Sequence, residues 1–396
     1  SLMEKRTPLD KNKQSLVIIS CLLITFCMGS IHAFSTLIEN IELQINAGRM
    51  ASSLIYSTGL ISVTVAVFFG STLYRKLSPS LIIVLIVILP LIGVLISNTG
   101  SWIGWIVGYG FCFGFASGLG YGFSLYAASS VTSSQKLGLV LGAVSASYAF
   151  GAVIFSMLYP LLFSYFDFKA GYMIGVSILS IVIIISLILF RLAKKDLTAK
   201  TKSIGKNQSV KGKIIKLWLA FFLGVFAGLM TIGHAVPIIK ASGGSSEIAI
   251  TAISLMALGS GIAGIYAGWL ADRFGCKRPI LVILTISSLA LLSLSTFTSI
   301  NLMLIFLTLI ASLYGALIAI YPTLVNHVFG PDYSAWVYGR IFTAWGAAGL
   351  VSPSLAGWLF DQYNNYNSSL FFAFILSIFA GLIIWSLKYD VNGATH

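Results

Sequence analysis

Residues 80–97 read SLIIVLIVILPLIGVLIS, a run without one charged side chain. A helix needs about 20 apolar residues to cross about 30 Å of hydrocarbon, so this run is the length and chemistry of a membrane span. Windows of the same kind recur along the chain, at 14–37, 50–73, 80–98, 101–130, 137–162, 170–192, 215–239, 247–270, 279–299, 301–328, 334–359 and 366–388. The expectation is an all-α integral membrane protein with twelve transmembrane helices. Composition agrees: 58% of the 396 residues are hydrophobic and 9% are charged, too little polar surface to cover a soluble domain. The net charge of +13 does not point to nucleic acid, because the bases fall in short clusters between apolar runs. Cys21, Cys27, Cys112 and Cys276 form no metal-binding or disulfide spacing, and no cofactor motif is present, so no cofactor is expected.

The sixth and seventh windows are separated by RLAKKDLTAKTKSIGKNQSVKGKIIK, polar and lysine-rich. It divides the chain into six-helix halves at 1–192 and 215–396, joined by a basic linker at 193–214. With the N-terminus in the cytoplasm and loops assigned alternately, only Arg49, Lys169 and Lys240 of the 24 Lys and Arg fall outside. Lysine and arginine accumulate on the cytoplasmic side, so both termini and the linker are expected there.

The halves read as copies. GSTLYRKLSPS starts at Gly70 and GWLADRFGCKR at Gly268, an offset of 268 − 70 = 198. His32 of IHAF and His234 of GHAV are 234 − 32 = 202 apart, and Gly138 and Gly339 are 339 − 138 = 201 apart. Three near-equal offsets on corresponding spans indicate duplication, the pseudo-symmetry of transporters that work by alternating access.

GWLADRFGCKR resembles the loop signature of the major facilitator superfamily, through Gly268, Asp272, Arg273, Gly275, Lys277 and Arg278. The first-half copy departs from it, with Tyr74 in place of the acid and Leu77 in place of the second glycine. GSIHAFS, GLGYG and the stretch from YPTLVNH to GWLFD are similar to the oxalate/formate-antiporter and monocarboxylate-transporter group. The resemblance implies the major facilitator fold, with spans 1, 4, 7 and 10 around a central path. It also implies a gating role for Gly268, Asp272, Arg273 and Gly275, clasping the halves on the cytoplasmic side. The group carries an arginine and a lysine where this chain has Gly264 and Trp345, so oxalate is not the expected substrate.

Ionisable groups inside spans are functional suspects. His32 and His234 lie deep in spans 1 and 7, and Glu39 lies two turns beyond His32. With no mid-span carboxylate, these three are the candidates for proton coupling. Candidates for substrate binding are His32, Tyr121, Tyr148, His234, Tyr314, Arg340 and Trp345, the repeat placing the two histidines opposite each other. The function expected is secondary transport of a small organic molecule, a monocarboxylate or related metabolite, by symport or antiport, with a proton as candidate co-substrate. The alternatives are a neutral or zwitterionic substrate such as an amino acid, or a receptor on the same fold that no longer transports. The chain is expected as a multi-pass monomer in a bacterial inner membrane, its partners being lipid and substrate. It is not expected to be an enzyme, since no mid-span acid/base pair or phosphate loop occurs.

Overall fold

The structure is a computed structural model describing residues 10–193, 203–204, 208–296 and 299–388. Most of the expected 193–214 linker and both chain ends lie outside the described residues. All regular structure among the described residues is helical. Helix α1 (Lys11–Met28) continues through a 3₁₀ segment (Gly29–Thr36) into α2 (Ile38–Ile45). Then come α3 (Arg49–Lys76), α4 (Pro79–Ser97) and the short α5 (Trp102–Trp105). A π segment (Ile106–Phe113) leads into α6 (Gly114–Val131), followed by α7 (Leu137–Tyr165) and α8 (Phe168–Leu192). The C-terminal set opens with α9 (Gln208–Ile232), α10 (Ala235–Ala241), α11 (Ser246–Phe274) and α12 (Lys277–Thr296). It ends with α13 (Ile300–Phe329), α14 (Ser334–Ile341), α15 (Thr343–Tyr363) and α16 (Asn367–Ser386).

Eleven helices among the described residues are long and apolar enough to cross a membrane. Residues 334–359, expected as one span, are divided at Phe342 into α14 and α15, and neither is among the eleven. The physical reason is composition: TAWGAAGLVSPSLAG is built largely of small residues that contribute little hydropathy.

Local signals explain the helix ends. Ser78 caps α4 by accepting from Leu81 N, and Pro79 occupies the first turn, where its missing N–H costs nothing. Gly275 stops α11 at φ 77°, a left-handed value that suits glycine. Packing follows membrane logic, with small residues inside and large apolar ones outside. On α11, Gly261, Gly264, Ala267, Gly268 and Ala271 are buried, while Ile250, Ile262 and Tyr266 are about 60% exposed.

Helix α1 packs on α6, α7 and α8, and α3 on α6. In the C-terminal set, α9 packs on α13, α15 and α16. The two sets meet chiefly at two places, α7 against α11 and α13, and α3 against α14 and α15, and α6 also touches α14. At the first, a Cβ on Gly138 would collide with the Gly268 carbonyl, and one on Gly268 with the Gly138 carbonyl. At the second, a Cβ on Gly339 would collide with the Val67 carbonyl. Gly138 and Gly339 are the pair related by the 201-residue offset, so the duplicated glycines serve duplicated contacts.

Candidate functional site

The site is built where α1 unwinds. From Gly29 the chain runs as 3₁₀ helix, which redirects main-chain carbonyls that side chains then satisfy. Tyr109 donates its hydroxyl to Ile31 O at 2.5 Å, and Ser117 donates to Met28 O at 2.9 Å. Gly29 has a second role. A Cβ there would collide with the Tyr148 carbonyl, and one on Gly151 with the Phe26 carbonyl, so these glycines let α7 close onto α1. That approach brings the Tyr148 hydroxyl to His32.

His32 is held at both ring nitrogens. Nδ1 is 2.5 Å from the Tyr56 hydroxyl and Nε2 is 3.1 Å from the Tyr148 hydroxyl. A neutral imidazole has one donor and one acceptor nitrogen, so one tyrosine donates to the ring and the other accepts from it. Tyr148 also shares a 2.9 Å hydrogen bond with Ser117. The C-terminal helices close the other side. The Trp345 ring meets the His32 ring edge-on at 6.3 Å, and Trp345 Nε1 donates to the Tyr314 hydroxyl at 3.2 Å. His32, Tyr56, Tyr148, Tyr314 and Trp345 are all half-buried, so each keeps some accessible surface. Behind them Phe342 stacks on Trp345 at 5.0 Å and Tyr121 packs on Tyr148 at 5.1 Å. The Tyr121 hydroxyl bonds the Tyr338 hydroxyl of α14 at 3.1 Å.

His32, Tyr121, Tyr148, Tyr314 and Trp345 are thus brought together. His234 is not. It sits in the break between α9 and α10, with Nε2 2.8 Å from the Pro353 carbonyl and Nδ1 3.1 Å from the Tyr366 hydroxyl. Only a donor can meet a carbonyl, so Nε2 carries the proton, Nδ1 accepts from Tyr366, and the ring braces α15. The repeat places the two histidines on equivalent helices, yet the break turns His234 towards α15. Glu39 lies exposed in the first turn of α2. Arg340 stacks its guanidinium 3.5 Å from the Trp336 ring centre and 4.6 Å from that of Phe68, and donates to Trp336 O at 3.1 Å. Arg340 therefore pins α14 to α3 by cation–π contact and does not reach His32. Tyr56, Ser117, Tyr338 and Phe342 carry no motif and go unread in the sequence; the tertiary approach of α3, α6 and α14 places them.

At the end of the molecule carrying Arg75, Lys76, Lys136, Arg273, Lys277 and Arg278, here the basic end, the two sets are joined by Asp272. Its carboxylate accepts from Gly138 N at 2.5 Å and Leu139 N at 2.7 Å, the free amides at the start of α7. A helix N-terminus favours an anion, so the contact is electrostatic as well as geometric. Arg273 is exposed and lies 5.6 Å over Trp269, one turn back on α11. At the duplicated position the Tyr74 ring stacks on Tyr126 at 5.1 Å, and its buried hydroxyl has no hydrogen-bond partner. A carboxylate link forms at the α7–α11 contact and has no counterpart at Tyr74.

The family model described as Major Facilitator Superfamily matches residues 18–243 and 217–394. The chain belongs to the Major Facilitator Superfamily. Its proteins are membrane transporters that bind small molecules, and not enzymes. The chain is 24% identical to the oxalate:formate antiporter of Oxalobacter formigenes over 62% of this chain and 60% of that protein. It is 24% identical to monocarboxylate transporter 12 of Xenopus laevis over 45% of this chain and 40% of that protein. The matched part is thus less than two thirds of each relative's length. Its fold is similar to that of a proton:xylose symporter, with a TM-score of 0.76 at 13% identity, covering 94% of this chain and 95% of that one.

Two superfamily positions gain a physical account. Gly264, where the resemblance leads one to expect an arginine, faces Gly142 and Ala319, and even a Cβ would lie 3.2 Å from the Ala319 Cβ. A side chain at this position would be tightly packed from its first carbon. Trp345, where the resemblance leads one to expect a lysine, supplies an aromatic wall beside His32. For the superfamily loop, Asp272→Asn is expected to slow transport at least about ten-fold while substrate affinity stays within about three-fold, since its carboxylate bonds the α7 amides and not the His32 cluster. Equal losses in calorimetric binding and in liposome uptake would contradict this.

Proposed function

We propose that the chain is a twelve-span secondary transporter of a small monocarboxylate, working by alternating access with a proton bound alongside. The observation that carries it is His32, set between two tyrosine hydroxyls at the unwound part of α1 and facing Trp345 from the C-terminal helices. A charged carboxylate in a low-dielectric site needs a counter-charge. Among the described residues the titratable groups in hydrogen-bond reach of the ring are those two tyrosines, so a proton on His32 is the counter-charge within the cluster. The relatives named for oxalate, formate and monocarboxylates support the same substrate class. Residues 1–192 and 215–396 are then the moving halves, α14 and α15 together form the eleventh span, and 193–214 is the linker. The basic end faces the cytoplasm with both termini, by the distribution of Lys and Arg, and the protein acts as a monomer in a bacterial inner membrane.

A second substrate class is favoured by one observation. Both polar neighbours of His32 are neutral hydroxyls, which also suit a neutral or zwitterionic metabolite such as an amino acid. Counterflow in liposomes decides between them. Lactate or pyruvate loaded inside is expected to accelerate entry of labelled lactate, and alanine is not. Oxalate is expected to bind no tighter than about millimolar, because a dianion meets one proton and no fixed cation. Micromolar oxalate binding by calorimetry would overturn the carboxylate–histidine pairing. Binding of lactate without counterflow would identify a receptor instead.

A further inference from the structure

We infer that the hydrogen bond between Tyr121 and Tyr338 is the inner barrier of the transport path, and that the cleft beneath it is the vestibule through which substrate passes at the basic end. The inference rests on the transport function proposed above. Tyr121 belongs to α6 and Tyr338 to α14, so the 3.1 Å bond joins the two helix sets, and both residues are buried, at 4% and 6% exposure. On one side of it lies the His32 cluster: the Tyr121 ring packs on Tyr148, and Phe342 lies 5.8 Å from Tyr121, 5.7 Å from Tyr338 and 5.0 Å from Trp345. On the other side lies an open cleft lined by Tyr338 itself, with Gly122, Tyr126, Ser129, Leu141 and Asn326 among its walls. The two tyrosines therefore divide the half-buried histidine site from the cleft.

The chemistry suits a barrier that opens in every cycle. A bond between two neutral hydroxyls is weak on balance, and breaking it strands no charge. Tyr121 has a second partner ready in its own helix set, Ser145 of α7, at 3.4 Å. When α14 withdraws, the Tyr121 hydroxyl loses Tyr338 and keeps Ser145, so either position leaves the buried group bonded. That is a two-state element, of the kind that lets one contact bias a larger rearrangement. Tyr148 ties it to the site: it bonds His32 and packs on Tyr121, so a ligand that displaces the Tyr148 hydroxyl also moves the barrier. The cleft walls supply hydroxyls and an amide, which suit a small polar solute in passage.

The test measures the distance between spin labels on Lys76→Cys and Pro331→Cys, two exposed positions at the basic end of α3 and between α13 and α14. Tyr338→Phe and Tyr121→Phe each remove one hydroxyl and keep the ring. Each is expected to raise the population at longer distance at least about three-fold, and the double variant to match Tyr121→Phe, since that single variant already loses every bond of the Tyr121 hydroxyl. Distributions unchanged from the parent in both single variants would overturn the barrier, as would additive shifts in the double. The transport function fails separately, if the parent protein shows no lactate counterflow whatever the labels report.

Discussion

His32→Gln is expected to lower lactate uptake into liposomes at about pH 5.5 by at least about ten-fold and to flatten its pH profile, because glutamine keeps the hydrogen bonds and loses the titratable proton. In the parent, uptake should rise as pH falls, since protonation of His32 and binding of the anion favour each other. The groups facing the ring are Tyr56 from α3, Tyr148 from α7 and the edge of Trp345 from α15. Both hydroxyls stay neutral throughout the accessible pH range, so the change in charge belongs to the imidazole. His234→Gln is the comparison. Its ring braces Pro353 and Tyr366, so this variant should lose some thermal stability and keep the parental pH profile. A His32→Gln protein with the parental rate and profile would remove the proton from the mechanism and leave the neutral-substrate alternative.

Gly268→Leu is expected to reduce transport to background, more than about twenty-fold below the parent, because a side chain at this position meets the backbone of the opposing helix. The Gly268 and Gly138 carbonyls approach each other's α-carbons so closely that even a methyl group collides, and Asp272 bonds the α7 amides one turn away. Forcing α7 from α11 therefore breaks the packing and the carboxylate contact together. Gly349→Ala supplies the contrast. A Cβ there would sit 4.0 Å from Leu229 and Leu60, an ordinary contact, and activity should stay within about two-fold of the parent. Circular dichroism and size exclusion on the same preparations separate a misfolded Gly268→Leu protein from a folded one that does not move. Parental uptake by Gly268→Leu would show that the α7–α11 approach is not needed.

Much of the architecture was legible because the bilayer imposes one-dimensional rules. Apolar windows marked the helices, as SLIIVLIVILPLIGVLIS became α4 between Pro79 and Ser97. Small residues at three- and four-residue spacing lie on faces where helices meet, as Gly261, Gly264 and Gly268 do on α11. The loop signature singled out Asp272, and no local pattern named its partner. The amides of α7 proved to be that partner, since α11 and α7 pack closely at this end.

Interruptions in helices were harder to read. Nothing in GSIHAFS announces that Gly29 to Thr36 runs as 3₁₀ helix, because the cause lies in the Tyr109 and Ser117 hydroxyls on the neighbouring π segment and α6, which take the displaced carbonyls. The same holds for the break at Phe342 and for the one beside His234.

By itself the sequence determined the helical class, the superfamily loop and the scarcity of charge in the spans, because hydropathy, charge bias and glycine spacing are properties of short segments. Only the tertiary structure decided that His32 meets Tyr56, Tyr148 and Trp345, that His234 turns to Pro353, and that Arg340 is stacked between Trp336 and Phe68. Those outcomes depend on close approaches between helices far apart in the chain, such as Gly29 against Tyr148 and Gly138 against Gly268. A hydrogen bond or a ring contact is set by ångström-scale distances that no local pattern of residues contains.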